Sequence, residues 1–198
     1  SARGNQRIVR LENSLRVHHF EPLSYSNGPG RRAVLWLQGC TLNCMGCFNP
    51  STHTISGGKP VLISELLKKL LRIHPKIEGL TISGGEPLQQ LKPLLSFLTQ
   101  IRNETSLSIV VFSGFTFEEI RAMPQSDRLI YLVDVLIAGR YDHTVPSSNP
   151  WIGSGNKTIH FFTSRYSMND LQSVPSAEVI IQPNGEIISS GIHPLVLR

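Results

Sequence analysis

Apolar and polar positions along the chain fall into short segments whose period keeps changing. "RIVRLENSLRVHHF", residues 7–20, alternates weakly and predicts an N-terminal strand or hairpin. The turn cluster "NGPGRR" leads into "AVLWLQG", an apolar run that reads as a buried strand ending at Cys40. In "ISELLKKLLRI" the spacing changes. Ile63, Leu66, Leu67, Leu70 and Leu71 share one helical face, while Lys68, Lys69 and Arg72 fall outside it. "GLTIS" predicts a second strand, and a helix follows over residues 93–102. Pro93 suits that helix's first turn, with Leu94, Leu95, Leu98 and Ile101 turned inward. "LSIVVF" is a third strand. Behind it Thr116 and Glu119 have the spacing of a capping box, and Phe115 and Ile120 that of a hydrophobic staple. "YLVDVLIAG" and "KTIHFF" read as a fourth and a fifth strand. "EVIIQPNGEIIS" alternates on both sides of Asn184-Gly185, the signal of a two-residue hairpin.

Strands alternating with helices imply βαβ units and an α/β fold with a mainly parallel sheet and a C-terminal β-hairpin. The unusual loops all follow carboxyl ends of predicted strands: the cysteine loop at 39–50, "GGEP", "SGF" and "AGRYD". In barrels and open α/β sheets that rim carries the active site. A complete eightfold barrel takes about 250 residues, so this chain of 198 predicts an open partial (βα) barrel. No repeat, low-complexity tract or linker divides it. A single domain over 1–198 is expected, with residues 1–30 as an N-terminal extension.

Composition narrows the class. At 40% hydrophobic and 17% charged residues, with no long charge block, the composition argues against global disorder. No apolar run approaches the roughly 20 residues needed to span a bilayer, and "SARGNQRIVR" lacks the apolar core of a signal peptide. Clustered thiols suit a reducing compartment, so a cytoplasmic protein is expected. The net charge of +5 comes from scattered lysines and arginines without interleaved aromatics, which argues against nucleic acid. It reads as a solvated basic surface, with an acidic redox or protein partner the better of the remaining explanations.

The chemistry concentrates in "GCTLNCMGCFNP", which holds all three cysteines: Cys40, Cys44 and Cys47. Three thiolates on one loop can hold three corners of a [4Fe–4S] cluster and leave one iron open to a ligand. The rival is zinc with His53 as fourth ligand, and unligated thiols are a third reading. "TISGGEP" adds Gly84 and Gly85, where a backbone can approach a ligand closely, and Glu86, a carboxylate suited to an ammonium group. Alone such a turn is an ordinary connector. On the same rim as the cysteines, it suggests a site for an α-amino acid moiety. Arg140 and Lys157 are candidates to neutralise a carboxylate, though surface cations are commonplace. His18-His19 reads as strand surface. Asp134 and Asp142 have no acid–base partner legible in sequence, and no Ser-His-Asp or Walker pattern appears.

Cys-x₃-Cys-x₂-Cys followed by Gly-Gly-Glu-Pro resembles the radical S-adenosylmethionine superfamily. "NGPGRRAVLWLQGC", "CMGCFNPSTH", "TISGGEPLQQ", "VVFSGFTFEEI", "DVLIAGRYD" and "NPWIGSGNKTI" are similar to the anaerobic ribonucleoside-triphosphate reductase activating enzymes within it. The likeness covers about residues 12–190. It implies that Cys40, Cys44 and Cys47 ligate a [4Fe–4S] cluster whose open iron is chelated by S-adenosylmethionine. It also implies that Gly46 and Phe48 pack against adenosine, that Gly84 receives the amino group with Gly85 and Glu86 beside it, and that Ser113 meets the ribose or carboxylate. An electron from a low-potential donor such as flavodoxin would cleave the cofactor to methionine and a 5′-deoxyadenosyl radical. That radical would abstract hydrogen from a glycine of a glycyl-radical enzyme, such as the large subunit of anaerobic ribonucleotide reductase. The chain departs from the pattern on the side where the substrate is expected. Phe48 stands where histidine is frequent, Ile-Ala-Gly-Arg at 137–140 lacks an aspartate, and "WIGSGNK" lacks an arginine after tryptophan. A radical enzyme acting on a small molecule or peptide, and a non-catalytic zinc module, are the alternatives.

Overall fold

The computed structural model describes residues 13–191. The first half of the segment expected as an N-terminal strand or hairpin, and residues 1–12 of the expected extension, lie outside the described residues. Elements follow in the order β1 (Ser14–Ser24), β2 (Arg32–Leu37), β3 (Lys59–Leu62), α1 (Ile63–Ile73), β4 (Gly79–Gly84), α2 (Leu91–Glu104) and β5 (Ser108–Ser113). Then come α3 (Phe117–Arg121), α4 (Ser126–Leu132), β6 (Val135–Ala138), β7 (Thr158–Phe161), α5 (Met168–Gln172), β8 (Ala177–Ile181) and β9 (Ile187–Gly191).

Seven strands form one open sheet in the order β3-β1-β2-β4-β5-β6-β7. Its centre is parallel: β2 pairs with β4, β4 with β5, and β5 with β6. A helix lies in each connection between those strands, as parallel crossovers require. Their residues are buried on both faces, which is why they read as nearly unbroken apolar runs. The flanks are antiparallel, β1 with β2 and β3 on one side and β7 with β6 on the other. The fifth expected strand therefore reverses. Residues 139–157 contain only a 3₁₀ turn, Pro150–Ile152, and no helix to carry a crossover. Prolines fall where they do least harm: Pro60 in the edge strand β3, and Pro22 in β1 where its register with β2 shifts.

Strand alternation gives the sheet two different faces. Leu35, Leu80, Ile82, Ile109, Val111 and Leu136 pack under α1 and α2. The expected stripes are buried there: Ile63, Leu66, Leu67 and Leu70 of α1, and Leu94, Leu95, Leu98 and Ile101 of α2, joined by Phe97. The opposite face carries Val110, Val135 and Ile137, covered by Trp151 and by Leu171 and Val174 at α5. The Thr116–Glu119 capping box forms with both of its bonds.

Two expectations change. Tyr131 and Leu132 end α4 instead of beginning β6: Leu129 and Leu132 bury at helical spacing while Tyr131 is 84% exposed. The hairpin turn also has three residues, not two. Gln182 N donates to Glu186 O at 2.8 Å and Gly185 N to Gln182 O at 2.8 Å. Pro183 and Asn184 thus occupy the turn, and Gly185, at φ 84°, supplies the left-handed residue that completes it. Among the described residues no helix is long and apolar enough to cross a membrane.

Asp134, unassigned from sequence, is a structural anchor. Its carboxylate accepts from Ile109 N at 2.7 Å, Thr163 Oγ1 at 2.7 Å and Arg102 Nη2 at 2.7 Å. Burial alone would raise its pKa, but the hydrogen bonds from Thr163, Ile109 and Arg102 outweigh burial and hold it below the usual carboxylate value. Because the folded pKa is depressed, its contribution is complete above the unfolded pKa of about 3.9. It is lost as pH falls through the lower folded value. Asp134→Ala should cost about 3 kcal/mol at pH 7, since it strands a buried amide and a half-buried guanidinium. Urea denaturation at pH 7 checks this, and the gap between variant and wild type should shrink in strong acid.

Candidate active site

Loops leaving β2, β4 and β5 are tied together at the carboxyl rim of the sheet. Gly85 N donates to Leu37 O at 2.8 Å and Glu86 N to Gly39 O at 2.9 Å. Gly39 N and Cys40 N donate to Thr52 O and His53 O at 2.7 and 3.0 Å, closing the cysteine loop on itself. Glu86 then bridges to the next loop. Its Oε1 accepts from Leu88 N and Ser113 Oγ, each at 2.9 Å, and its Oε2 from Gly114 N at 2.6 Å. From β6, Arg140 donates to Gly114 O and makes a two-pronged pair with Glu119 at 2.9 and 3.0 Å. The four loops singled out in sequence do meet on one rim.

Between them lies a cavity of about 290 Å³ lined by Cys40, Cys44, Cys47, Phe48, Gly84, Gly85 and Ser113. All three thiols are free of disulfides. Among the described residues no three of His, Cys, Asp and Glu converge on one point as a mononuclear site would need; the thiols instead edge the cavity. His53 stands beside them, its Nε2 3.3 Å from Cys47 Sγ. Burial pushes the Cys40 thiol up, as do the charges of Glu86, Cys44 and Cys47, whereas metal binding would ionise it.

Three sequence readings are refined. Glu86 is fully buried and does not line the cavity, because its carboxylate is already committed to three donors. Burial raises its pKa and those hydrogen bonds oppose the rise. Gly46 also lies outside the lining; at φ 69° it packs against His143, 3.1 Å from where a Cβ would stand. The two candidate cations separate: Arg140 is held by Glu119, while Lys157 lines the cavity and donates to Gly139 O. Burial lowers the Lys157 pKa, against the pull of Cys44, Glu86 and Cys47. His18 and His19 are exposed, as expected.

Several wall residues escaped sequence reasoning. Trp36, Ser83 and Phe112 line the cavity one position before the ends of their strands. Strand alternation would have found them. Trp151 stacks edge-on with Phe112 at 5.6 Å and anchors through Nε1 to Leu171 O at 2.9 Å. Tyr141 meets Phe48 edge-on at 5.2 Å. Ser189 and Ser190 arrive from the C-terminal hairpin, and no local signal announces them.

Residues 26–160 match the model of a family described as a 4Fe-4S single cluster domain, which covers the rim loops and the parallel sheet. The chain is 30% identical over 153 residues to the anaerobic ribonucleoside-triphosphate reductase-activating protein of Escherichia coli K12, covering 74% of this chain and 98% of that one. Proteins of the same name from Haemophilus influenzae and Enterobacteria phage T4 are 33% and 32% identical. They cover 72% and 70% of this chain and 96% and 88% of their own lengths. The chain belongs to this family of activating proteins, within the radical S-adenosylmethionine superfamily. A solved structure of QueE from Escherichia coli is 17% identical, with a TM-score of 0.41 over 52% of this chain and 54% of that one; so slight a likeness bears no weight.

Proposed function

We propose that this protein is a glycyl-radical activase built on an open partial (βα) barrel of the radical S-adenosylmethionine type. The observation that carries the reading is one cavity edged by three unpaired thiols and by the Gly84-Gly85 backbone. The donor set fits. Cys40, Cys44 and Cys47 would hold a [4Fe–4S] cluster, and the glycine edge lets a backbone meet the amino group of S-adenosylmethionine. Lys157, the single lysine or arginine among the lining residues, is placed to neutralise a carboxylate. Phe48 with Tyr141 offers an aromatic wall for adenine. Glu86 and Ser113 act by holding two rim loops in register, and Gly46 by letting the cysteine loop turn against His143. When bound, the cluster and S-adenosylmethionine supply the 5′-deoxyadenosyl radical that removes a hydrogen atom.

The substrate we assign is a glycine Cα–H of a partner protein. The relatives are named as activators of anaerobic ribonucleoside-triphosphate reductase, so the large subunit of that enzyme is the partner proposed. A low-potential donor such as flavodoxin would supply the electron. An open sheet leaves room for an inserted loop, and a glycine radical is delocalised by its flanking amides. Free clustered thiols suit the reducing cytoplasm.

Mixing the reconstituted, reduced protein, S-adenosylmethionine and the co-encoded glycyl-radical protein under anaerobic conditions should give a doublet EPR signal. One equivalent of 5′-deoxyadenosine should form per radical. Vigorous turnover of a free small molecule, with no doublet on the partner, would overturn the proposal.

A further inference from the structure

We propose that the β8–β9 hairpin forms a subsite for uncharged peptide backbone, with the Ser189 hydroxyl as its hydrogen-bonding group. The inference rests on the glycine-abstraction reading and concerns what holds the chain around that glycine.

The cavity has chemically different ends. The cysteines, Gly84 and Lys157 lie at the rim. At the other end is Asn27, whose carbonyl accepts from Thr81 Oγ1 at 2.7 Å. Thr81 precedes Gly84 by three residues in β4, which sets Asn27 about 10 Å below the glycine edge at roughly 3.3 Å per residue. Ser190 of β9 joins it there, its Oγ accepting from Asn27 Nδ2 at 3.0 Å. The hairpin is fixed at that depth by Glu178, whose carboxylate accepts from Tyr25 N at 2.8 Å, Ser26 Oγ at 2.9 Å and Ser24 Oγ.

Ser190 is thus occupied, and Ser189 is not. Ser189 lines the same cavity, and its Oγ is buried without a hydrogen-bond partner among the described residues. A buried hydroxyl left unpaired is costly and needs an explanation. A guest with complementary polar groups supplies one. The character of that guest follows from charge: no Asp, Glu or Arg lines the cavity, and the lysine sits at the rim end on Gly139 O. Within this cavity a phosphate or carboxylate would find no lysine or arginine beside Ser189 and Ser190; His18, His19 and Glu21 line an adjoining cavity that the two serines share. Peptide N–H and C=O groups would find hydroxyls and an amide. The hairpin lies beyond residue 160, where the match to the family model ends.

The probe is N-acetylglycine N-methylamide, a glycine Cα–H between two amides, with charged N-acetylglycine as control. Saturation-transfer NMR on the holoenzyme, with oxidised cluster and bound S-adenosylmethionine, reads affinity without turnover. The neutral probe should bind at least tenfold more tightly than the charged one. Ser189→Ala should weaken the neutral probe five- to tenfold, the worth of one neutral hydrogen bond. Ser189→Thr should restore it, and affinity for S-adenosylmethionine should stay within twofold. Equal binding by wild type and Ser189→Ala would mean that a trapped water satisfies the hydroxyl, and would overturn the inference. So would preference for the charged probe, or no saturable binding to wild type. Should Ser189→Ala fail to take up its cluster, the wild-type preference between the probes and the Ser189→Thr affinity decide the matter. Ser189-dependent binding without a radical on the partner would keep the subsite and sink the protein-substrate reading. A partner radical at wild-type rate in Ser189→Ala, with probe affinity unchanged, would do the reverse.

Discussion

Cys44→Ala is expected to abolish both cluster assembly and cleavage of S-adenosylmethionine. The chain has three cysteines, all on the loop after β2 and all lining the rim cavity, so none can be replaced by a spare thiol. Two thiolates and an exposed edge would leave half of a four-iron cluster unligated, where clusters of this kind normally take four ligands. Anaerobic reconstitution of the wild type should give a brown protein with about four irons and four sulfides per chain. Its reduced form should show an S = 1/2 signal that changes when S-adenosylmethionine is added. The variant should show neither iron uptake nor 5′-deoxyadenosine above background while retaining its fold, because Cys44 belongs to neither hydrophobic cluster of the sheet. Wild-type cleavage by Cys44→Ala would show the ligand assignment to be wrong. A single tightly held zinc in the native protein would favour the Cys₃His alternative with His53.

Gly84→Ala should damage the fold itself. Gly84 has φ 111°, a conformation side chains rarely adopt, and its added Cβ would stand 2.3 Å from Leu37 O and 2.4 Å from Leu37 N. Those are backbone atoms of β2, the strand that delivers the cysteine loop. Relief requires β2 and β4 to part where Leu37 pairs with Gly84 and where Gly85 N reaches Leu37 O. The left-handed backbone costs roughly 1–2 kcal/mol for a residue with a side chain, and overpacking about 1–3 kcal/mol more. Together these come to about 2–5 kcal/mol, a large share of the roughly 5–15 kcal/mol that stabilises an ordinary domain. A large drop in the urea midpoint, or insoluble protein, is the expected result. From sequence, Gly84 reads as a residue that meets the cofactor, and substitution would be expected to weaken cofactor binding alone. A Gly84→Ala protein with an unchanged unfolding midpoint and weaker cofactor binding would restore that simpler view.

Residue patterns by themselves determined the α/β class, the inward faces of α1 and α2, the Thr116–Glu119 cap and the rim on which the cysteines and Gly-Gly-Glu-Pro meet. These are local quantities. A helical stripe, a capping box and a strand's carboxyl end each depend on spacing within about a dozen residues, and the chain states that spacing directly. Tertiary structure decided the rest. The reversal of β7 depends on what does not connect it to β6, and the end of α4 at Tyr131-Leu132 on which side of an apolar run finds the core. Glu86 looked available to a ligand because sequence cannot show that Leu88, Ser113 and Gly114 already consume its carboxylate. Arg140 and Lys157 were equivalent as letters; packing gave one to Glu119 and the other to the cavity. Ser189 was the least legible. It reaches the site only because Glu178 and Ser190 tie the hairpin to residues 24–27, more than 150 positions earlier, and no local period encodes a contact at that separation.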